Sequence, residues 1–521
     1  MSQDFKKARG LSPEVQLAWE VMTCRALRST YDAEDHPCHW FNNHYGPYPA
    51  YDWLEGLPGP GVQEEEQKEI PALCMGERFQ VPELMSGCRK APIMTIGINP
   101  NLTAYYPSVD GATWCYPYFE NIAQYAYYFR HRAVCQEHFS VDFIRENIIP
   151  GSEIIAADAG KVVKTELSLE TGGINLIIQY KDKPQQTLRL DRGYKILSSP
   201  YDPKGFAKGE KIAGKVQLKP NTQTTLYRQP VGYYKRFRTI FDTFKQLAGL
   251  QTLPLQMGED VCQADMVACA SPGWDKWFTN TALEGITREC VHKRKWLVLQ
   301  LLQTNPAVIV FSGMSAFSMF YGLMKEYIHT ALDLSSDTFE LLKACITSDI
   351  TLEIDMGKGQ DPLRARVAIS PHFSYDDNFK PQSRFTHEEW KKYAEQYPEA
   401  FKILEPKAVY NSDQTRRVIY MVGPDTPTEA QVGPEVWKIL QEHLYNAGEL
   451  IAHVMLSEYE KGRLQVAGEH FRRNEGHCKY CVNELFTFNE GCPYGKIGED
   501  MARAQSILKV SAAILDLPGG K

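Results

Sequence analysis

Four short apolar runs, each stopped by small or turn-forming residues, constrain what this chain can fold into. The first, Ile93 to Ile96, is cut off by Gly97, Asn99, Pro100 and Asn101. The second, Val261 to Cys269, is interrupted by Gln263 and Asp265 and meets Ser271-Pro272-Gly273. Ala307 to Phe311 is the strongest of them and ends in Ser312-Gly313; Val367 to Ile369 ends in Ser370-Pro371-His372. Short continuous apolar runs bounded by turn signals read as buried central strands. A helical stretch at Phe237–Leu247 and an apolar one at Leu297–Leu302 lie between them. Strands alternating with helical segments specify an α/β chain with a mostly parallel sheet. In such sheets ligands bind just past the carboxyl ends of the strands, so Asn99 is delivered to the mouth of a cleft.

Gly97-Ile98-Asn99-Pro100 resembles the first motif of the uracil-DNA glycosylase superfamily. It is most similar to the mismatch-specific uracil/thymine branch, whose motif is Gly-Ile-Asn-Pro-Gly; Asn101 departs at the fifth position. His372-Phe373-Ser374 matches the second motif, His-Pro-Ser, at its first and third positions and departs at the proline. The two motifs occur in the family's order, with the strand and glycine of 307–313 between them.

The resemblance implies a three-layer α/β/α fold with a central, mostly parallel sheet. It implies that Asn99 positions the attacking water and that His372 stabilises the departing base. Gly97, Ile98, Pro100 and Ser374 would shape the base pocket, and Tyr106 or Tyr116 would pack on the flipped base. Phe119 reads better as core. Phe373 and Tyr375 would be the wedge that fills the gap left in the DNA stack.

The chain divides on this basis into a helical and loop-like extension at 1–90, a glycosylase-like core at 91–150 and 226–378, a β-rich insert at 151–225 and a C-terminal extension at 379–521. Val162–Leu169 and Ile174–Tyr180, separated by Glu170-Thr171-Gly172-Gly173, read as a hairpin of the insert. Thr187–Leu190 and Lys215–Leu218 add strands to it. The extension reads as helix at His387–Tyr397 and Pro434–Tyr445, and as strand at Val418–Val422.

No run of about 18 apolar residues exists to span a bilayer. Thirteen cysteines, an odd number scattered over 521 residues, argue against a disulfide framework and for a reducing cytoplasm. A net charge of −7 argues against non-specific coating of nucleic acid but leaves room for a local basic groove. Tyr234-Lys235-Arg236-Phe237-Arg238 and His292-Lys293-Arg294-Lys295-Trp296 interleave cations with aromatics, as phosphate contact plus stacking requires. Taken singly, each is better read as an ordinary helix face.

Near the end, Cys478-Lys479-Tyr480-Cys481 is followed by Gly491-Cys492-Pro493, with His470 and His477 upstream. This spacing suits a structural zinc held by His470, Cys478, Cys481 and Cys492. The alternative is a 4Fe-4S cluster completed by a distant Cys38 or Cys88.

The expected activity is that of a monofunctional DNA glycosylase, with DNA as partner, no membrane and no identifiable protein partner. The family members that act against phage carry similar extra domains, which implies a bulky modified cytosine as target. Uracil or mismatched thymine is the alternative target. A non-catalytic nucleic-acid-binding protein, or an iron–sulfur protein, on the same fold is the alternative class.

Overall fold

The computed structural model describes residues 83–87, 91–100, 112–114, 140–145, 148–167, 174–190, 194–196, 205–218, 225–230, 232–252, 260–269, 280–334, 338–346, 348–357, 359–373, 379–404, 406–410, 418–423 and 428–464, with single residues 21, 38 and 274. At its centre is a six-stranded sheet: β1 (Ile93–Gly97), β2 (Val261–Asp265), β3 (Val308–Ser312), β4 (Ile328–Thr330), β5 (Ile350–Ile354) and β6 (Leu363–Ser370). Its spatial order is β2-β1-β3-β6-β5-β4. The first four are parallel; β5 and β4 are antiparallel additions. β1 and β3 are buried along their whole length, because parallel strands are covered on both faces and so read as unbroken apolar runs. β5 alternates instead, with Ile350, Leu352 and Ile354 buried and Thr351 and Glu353 part-exposed.

Helices cover both faces. Register pairs Val308 with Arg366 and Val310 with Ala368 on one face, and Ile309 with Val367 and Phe311 with Ile369 on the other. Phe311 meets Phe317 and Phe320 of α4 (Met314–Met324) at ring-centroid separations of 5.4 and 4.9 Å. Helices α2 (Asn280–Ile286) and α3 (Trp296–Thr304), joined by a π-helical turn at Thr287–Arg294, lie between β2 and β3 in the chain. On the opposite face are α1 (Gly232–Leu247), α5 (Thr338–Ala344) and, late in the chain, α9 (Ala447–Glu460). Phe237, Ile240, Phe241 and Phe244 recur at helical spacing and form the buried stripe of α1. Phe244 packs edge-on to Tyr459 of α9, and Gly448 of α9 lies against Ile240.

That contact revises the expected boundary at 378. Ile451, Ala452, Val454 and Met455 of α9 belong to the main core, so the chain leaves the core after β6 and returns to it. The intervening residues build a second unit with its own apolar cluster: Phe385, Phe401, Leu404, Val422, Val432, Val436 and Leu440. Its strands are β7 (Gln382–Thr386), β8 (Lys407–Tyr410), β9 (Val418–Val422) and β10 (Leu444–Tyr445), in the order β8-β9-β7-β10. Its helices include α6 (His387–Gln396), α7 (Pro398–Ile403) and α8 (Pro434–Glu442), with a single helical turn at Glu429–Val432 before α8. Helix α8 stops before Leu444, which pairs with β7 rather than continuing the helix.

The insert forms two three-stranded antiparallel sheets. The expected hairpin is there as Gly160–Leu167 against Ile174–Tyr180, and Gln186–Leu190 joins it. Ser140–Arg145 pairs antiparallel with Thr225–Pro230, which zips the two ends of the insert together. α1 begins at Gly232, just past that stem.

A buried charge network ties α9 to the sheet. Arg366, 2% exposed, faces Glu458, also 2% exposed, and Asp349, and donates to Ser457 Oγ and the Cys345 carbonyl. Burial raises the pKa of Glu458, but hydrogen bonds from Arg463 and Lys461 outweigh it and hold the carboxyl below its ordinary value. A carboxyl with a depressed folded pKa stabilises the fold fully above its unfolded pKa, about 4.3 for glutamate, and that contribution is lost as pH falls through the folded value. Glu458→Gln is therefore expected to cost about 3 kcal/mol at neutral pH. It should also flatten the acid limb of the stability profile below about pH 4.3. Denaturant unfolding at neutral and acid pH measures both effects.

Candidate functional site

Taken in chain order, the four parallel strands stand in the spatial order second, first, third, fourth. The chain steps from β1 to one side, then crosses to the other, so the order switches between β1 and β3. The crevice at such a switch, outside the carboxyl ends, is where open α/β sheets bind ligands. The strand ends are level: Gly97 pairs with Asp265, Ile96 with Phe311, and Ser312 with Ser370.

Gly97-Ile98-Asn99-Pro100 leaves β1 at this switch point. Its backbone stays pinned after the strand stops, since Met266 and Val267 donate to the carbonyls of Gly97 and Ile98 at 3.0 and 2.8 Å. Asn99 is half-buried, and its Nδ2 donates to the carbonyls of Pro100 (3.1 Å) and Cys269 (3.4 Å). The carboxamide is thus held in one orientation.

Gly97 leaves room for Asp265: a Cβ at 97 would lie 2.4 Å from its Oδ1, so the carboxylate would have to turn away. Asp265 was absent from the candidates read in the sequence. Gln263 Nε2 donates to its Oδ1 at 3.3 Å, and the Thr95 hydroxyl donates to Gln263 Oε1. With Thr95 and Gln263 both buried, this row steadies a carboxylate beside the loop of Asn99. The available signal was an acidic residue at the end of an apolar strand.

The His372 loop leaves β6 on the other side of β3. Gly313 follows β3 with φ +96°, a conformation natural only to glycine, and a Cβ there would lie 3.5 Å from His372 Cδ2. Gly313 N–H donates to the Ser370 carbonyl at 2.9 Å. His372 is half-buried. The next peptide is fixed as well: Phe373 N–H donates to Ser312 Oγ at 3.2 Å.

Phe373 does not fit the wedge expected of it. Its side chain is fully buried, and its ring packs edge-on against Phe237 and Phe379, each at 5.4 Å. A wedge must reach solvent to enter a DNA stack; this ring fills the seam between the strand ends and α1. In the two basic stretches the aromatics Phe237 and Trp296 are buried and do not stack on bases; the side chain of Tyr234 lies outside the described residues. Lys293 and Arg294 are paired with the buried Glu289.

Tyr106, Tyr116, Ser374 and Tyr375 lie outside the described residues, as do His470, Cys478, Cys481, Cys492 and Cys88. The N-terminal extension expected at 1–90 lies outside them too, apart from Val21, Cys38 and residues 83–87. Among the described residues, no group of three or more His, Cys, Asp or Glu is placed to hold a metal ion. Burial pushes the Cys345 thiol up to about 11, which leaves it unreactive at neutral pH. A small apolar hollow beside Tyr397, Pro398, Val432 and Val436 belongs to the second unit rather than to these strand ends. No helix among the described residues is long and apolar enough to cross a membrane.

The fold defines a mixed α/β protein whose candidate site lies at the carboxyl ends of its parallel strands. Comparison with family models, with curated proteins and with solved structures gave no match to this chain.

Proposed function

We propose that the chain is a monofunctional DNA glycosylase on a three-layer α/β/α fold of the uracil-DNA glycosylase type. The observation that carries the reading is the convergence of two distant loops. β1 and β6 bring Asn99 and His372 to the same end of the sheet, on either side of β3, with Gly313 packed against His372.

The chemistry follows from those groups. The target base leaves the stack, at a cost of a few kcal/mol that a mismatched or damaged base reduces. As the glycosidic bond breaks, positive charge builds on the sugar and negative charge on the leaving base. A carboxamide is too weak a base to deprotonate water, so Asn99 holds and orients it, and the transition state is largely dissociative. The Asp265 carboxylate, one strand away, places negative charge at the same mouth and favours the cationic sugar. His372 donates to the departing base.

Asn101 in place of the family's glycine, together with the insert and the second unit added to the core, suits a target larger than uracil, and a bulky modified cytosine of phage DNA is the proposed substrate. One zinc ion held by His470, Cys478, Cys481 and Cys492 is proposed as a structural element with no part in the chemistry. Elemental analysis of the purified chain is expected to find about one zinc per chain, as a four-ligand structural site requires; iron with sulfide would replace that assignment by a cluster. The activity is tested by incubating the protein with duplexes containing modified cytosine, uracil or mismatched thymine, followed by alkaline cleavage at abasic sites. DNA binding with no cleavage of any duplex would leave a non-catalytic binding protein as the reading.

A further inference from the structure

We propose that Arg236 is a positioning residue for this site, clamping the His372 loop from the helix side while Ser312 clamps it from the strand side. The assignment rests on the reading of His372 as the group that donates to the leaving base.

Arg236 lies near the start of α1 and is half-buried. Its Nη1 donates to the Phe373 carbonyl, and its guanidinium carbon lies 6.0 Å from the centre of the Phe379 ring. From the other side, Ser312 Oγ accepts the Phe373 N–H at 3.2 Å. The two peptide groups flanking Phe373 are therefore tied to two different elements. The ring between them is locked by Phe237, the residue after Arg236, and by Phe379. His372 immediately precedes this anchored residue and rests against Gly313. An imidazole that must meet charge forming on a departing base needs its backbone fixed before the reaction, and this pair of anchors fixes it. The guanidinium suits the task because it stays charged at every working pH and its planar fork reaches the carbonyl from beside the Phe379 ring. α1 also starts just past the strand that closes the insert, so the clamp joins the insert's stem to the catalytic loop.

The test uses the full chain and a duplex that the wild type cleaves. Arg236→Gln is expected to lower the single-turnover rate by roughly 10- to 100-fold, the scale of a displacement near 1 Å. DNA affinity should stay within about twofold, because the lost contact acts on the transition state. Arg236→Lys should recover part of the rate, and Ser312→Ala should lower it from the opposite side. Amide hydrogen exchange at Phe373 should quicken in Arg236→Gln while α3 and α9 keep their protection.

An unchanged rate per folded molecule, or unchanged exchange at Phe373, overturns the proposal. So does a loss of affinity matching the loss of rate with a shallower salt dependence, since Arg236 would then be a phosphate contact. If the wild type cleaves no duplex, the glycosylase reading fails, yet the exchange experiment still reports on the clamp.

Discussion

Replacing Asn99 with alanine is expected to abolish alkali-labile strand scission while leaving the protein folded. The side chain stands outside β1, is half-buried, and donates to two loop carbonyls. Losing such hydrogen bonds costs about 1 kcal/mol each, well within what a domain of this size tolerates. The loss in chemistry is of another order. Without Asn99 to hold the water against the sugar, the cation formed on bond breaking recaptures the base or waits for bulk solvent. Thermal unfolding close to wild type, together with no detectable abasic product, is the expected pair of results. Near-wild-type turnover would mean that Gly97-Ile98-Asn99-Pro100 is an ordinary strand-to-loop turn.

His372→Ala is expected to slow single-turnover cleavage by about 100- to 1000-fold, the cost of losing one donor to a developing anion. Because that charge exists mainly in the transition state, DNA affinity should change little. Phe373→Ala makes the contrast. Its ring is fully buried between Phe237 and Phe379, so truncation should cost about 3 to 5 kcal/mol of stability, with activity lost through unfolding. A true wedge would behave otherwise: its truncation weakens binding and is partly rescued by an unpaired target base. Tyr375 remains the residue for which that outcome is expected. Rate, affinity and unfolding measured on the same variants separate the three roles. Equal losses of rate and affinity in His372→Ala would make the histidine structural.

The parallel strands were legible because burial on both faces leaves an unbroken apolar run, and Ile93–Gly97 and Val308–Ser312 carry that signature. Ile328–Thr330 and Ile350–Ile354 escaped notice for the opposite reason. The first is three residues long and mostly polar at its centre; the second alternates on the rim of the sheet. Helix α9 has an apolar stripe that any local packing could bury, so nothing nearby in the chain announces its return to the core.

The sequence by itself determined the α/β class, the strands that end in Asn99 and His372, and the residue types available for chemistry at those ends. These are local matters: periodicity, turn residues and side-chain identity act over a few neighbours. Only the tertiary structure decided that β1 and β6 flank β3, that Asp265 lies against Gly97, and that Arg236 reaches the Phe373 carbonyl. It also turned Phe373 inward. An aromatic after a strand has the same local pattern whether it meets solvent or core, and the choice was made by Phe237 and Phe379, side chains from a distant helix and from beyond the loop.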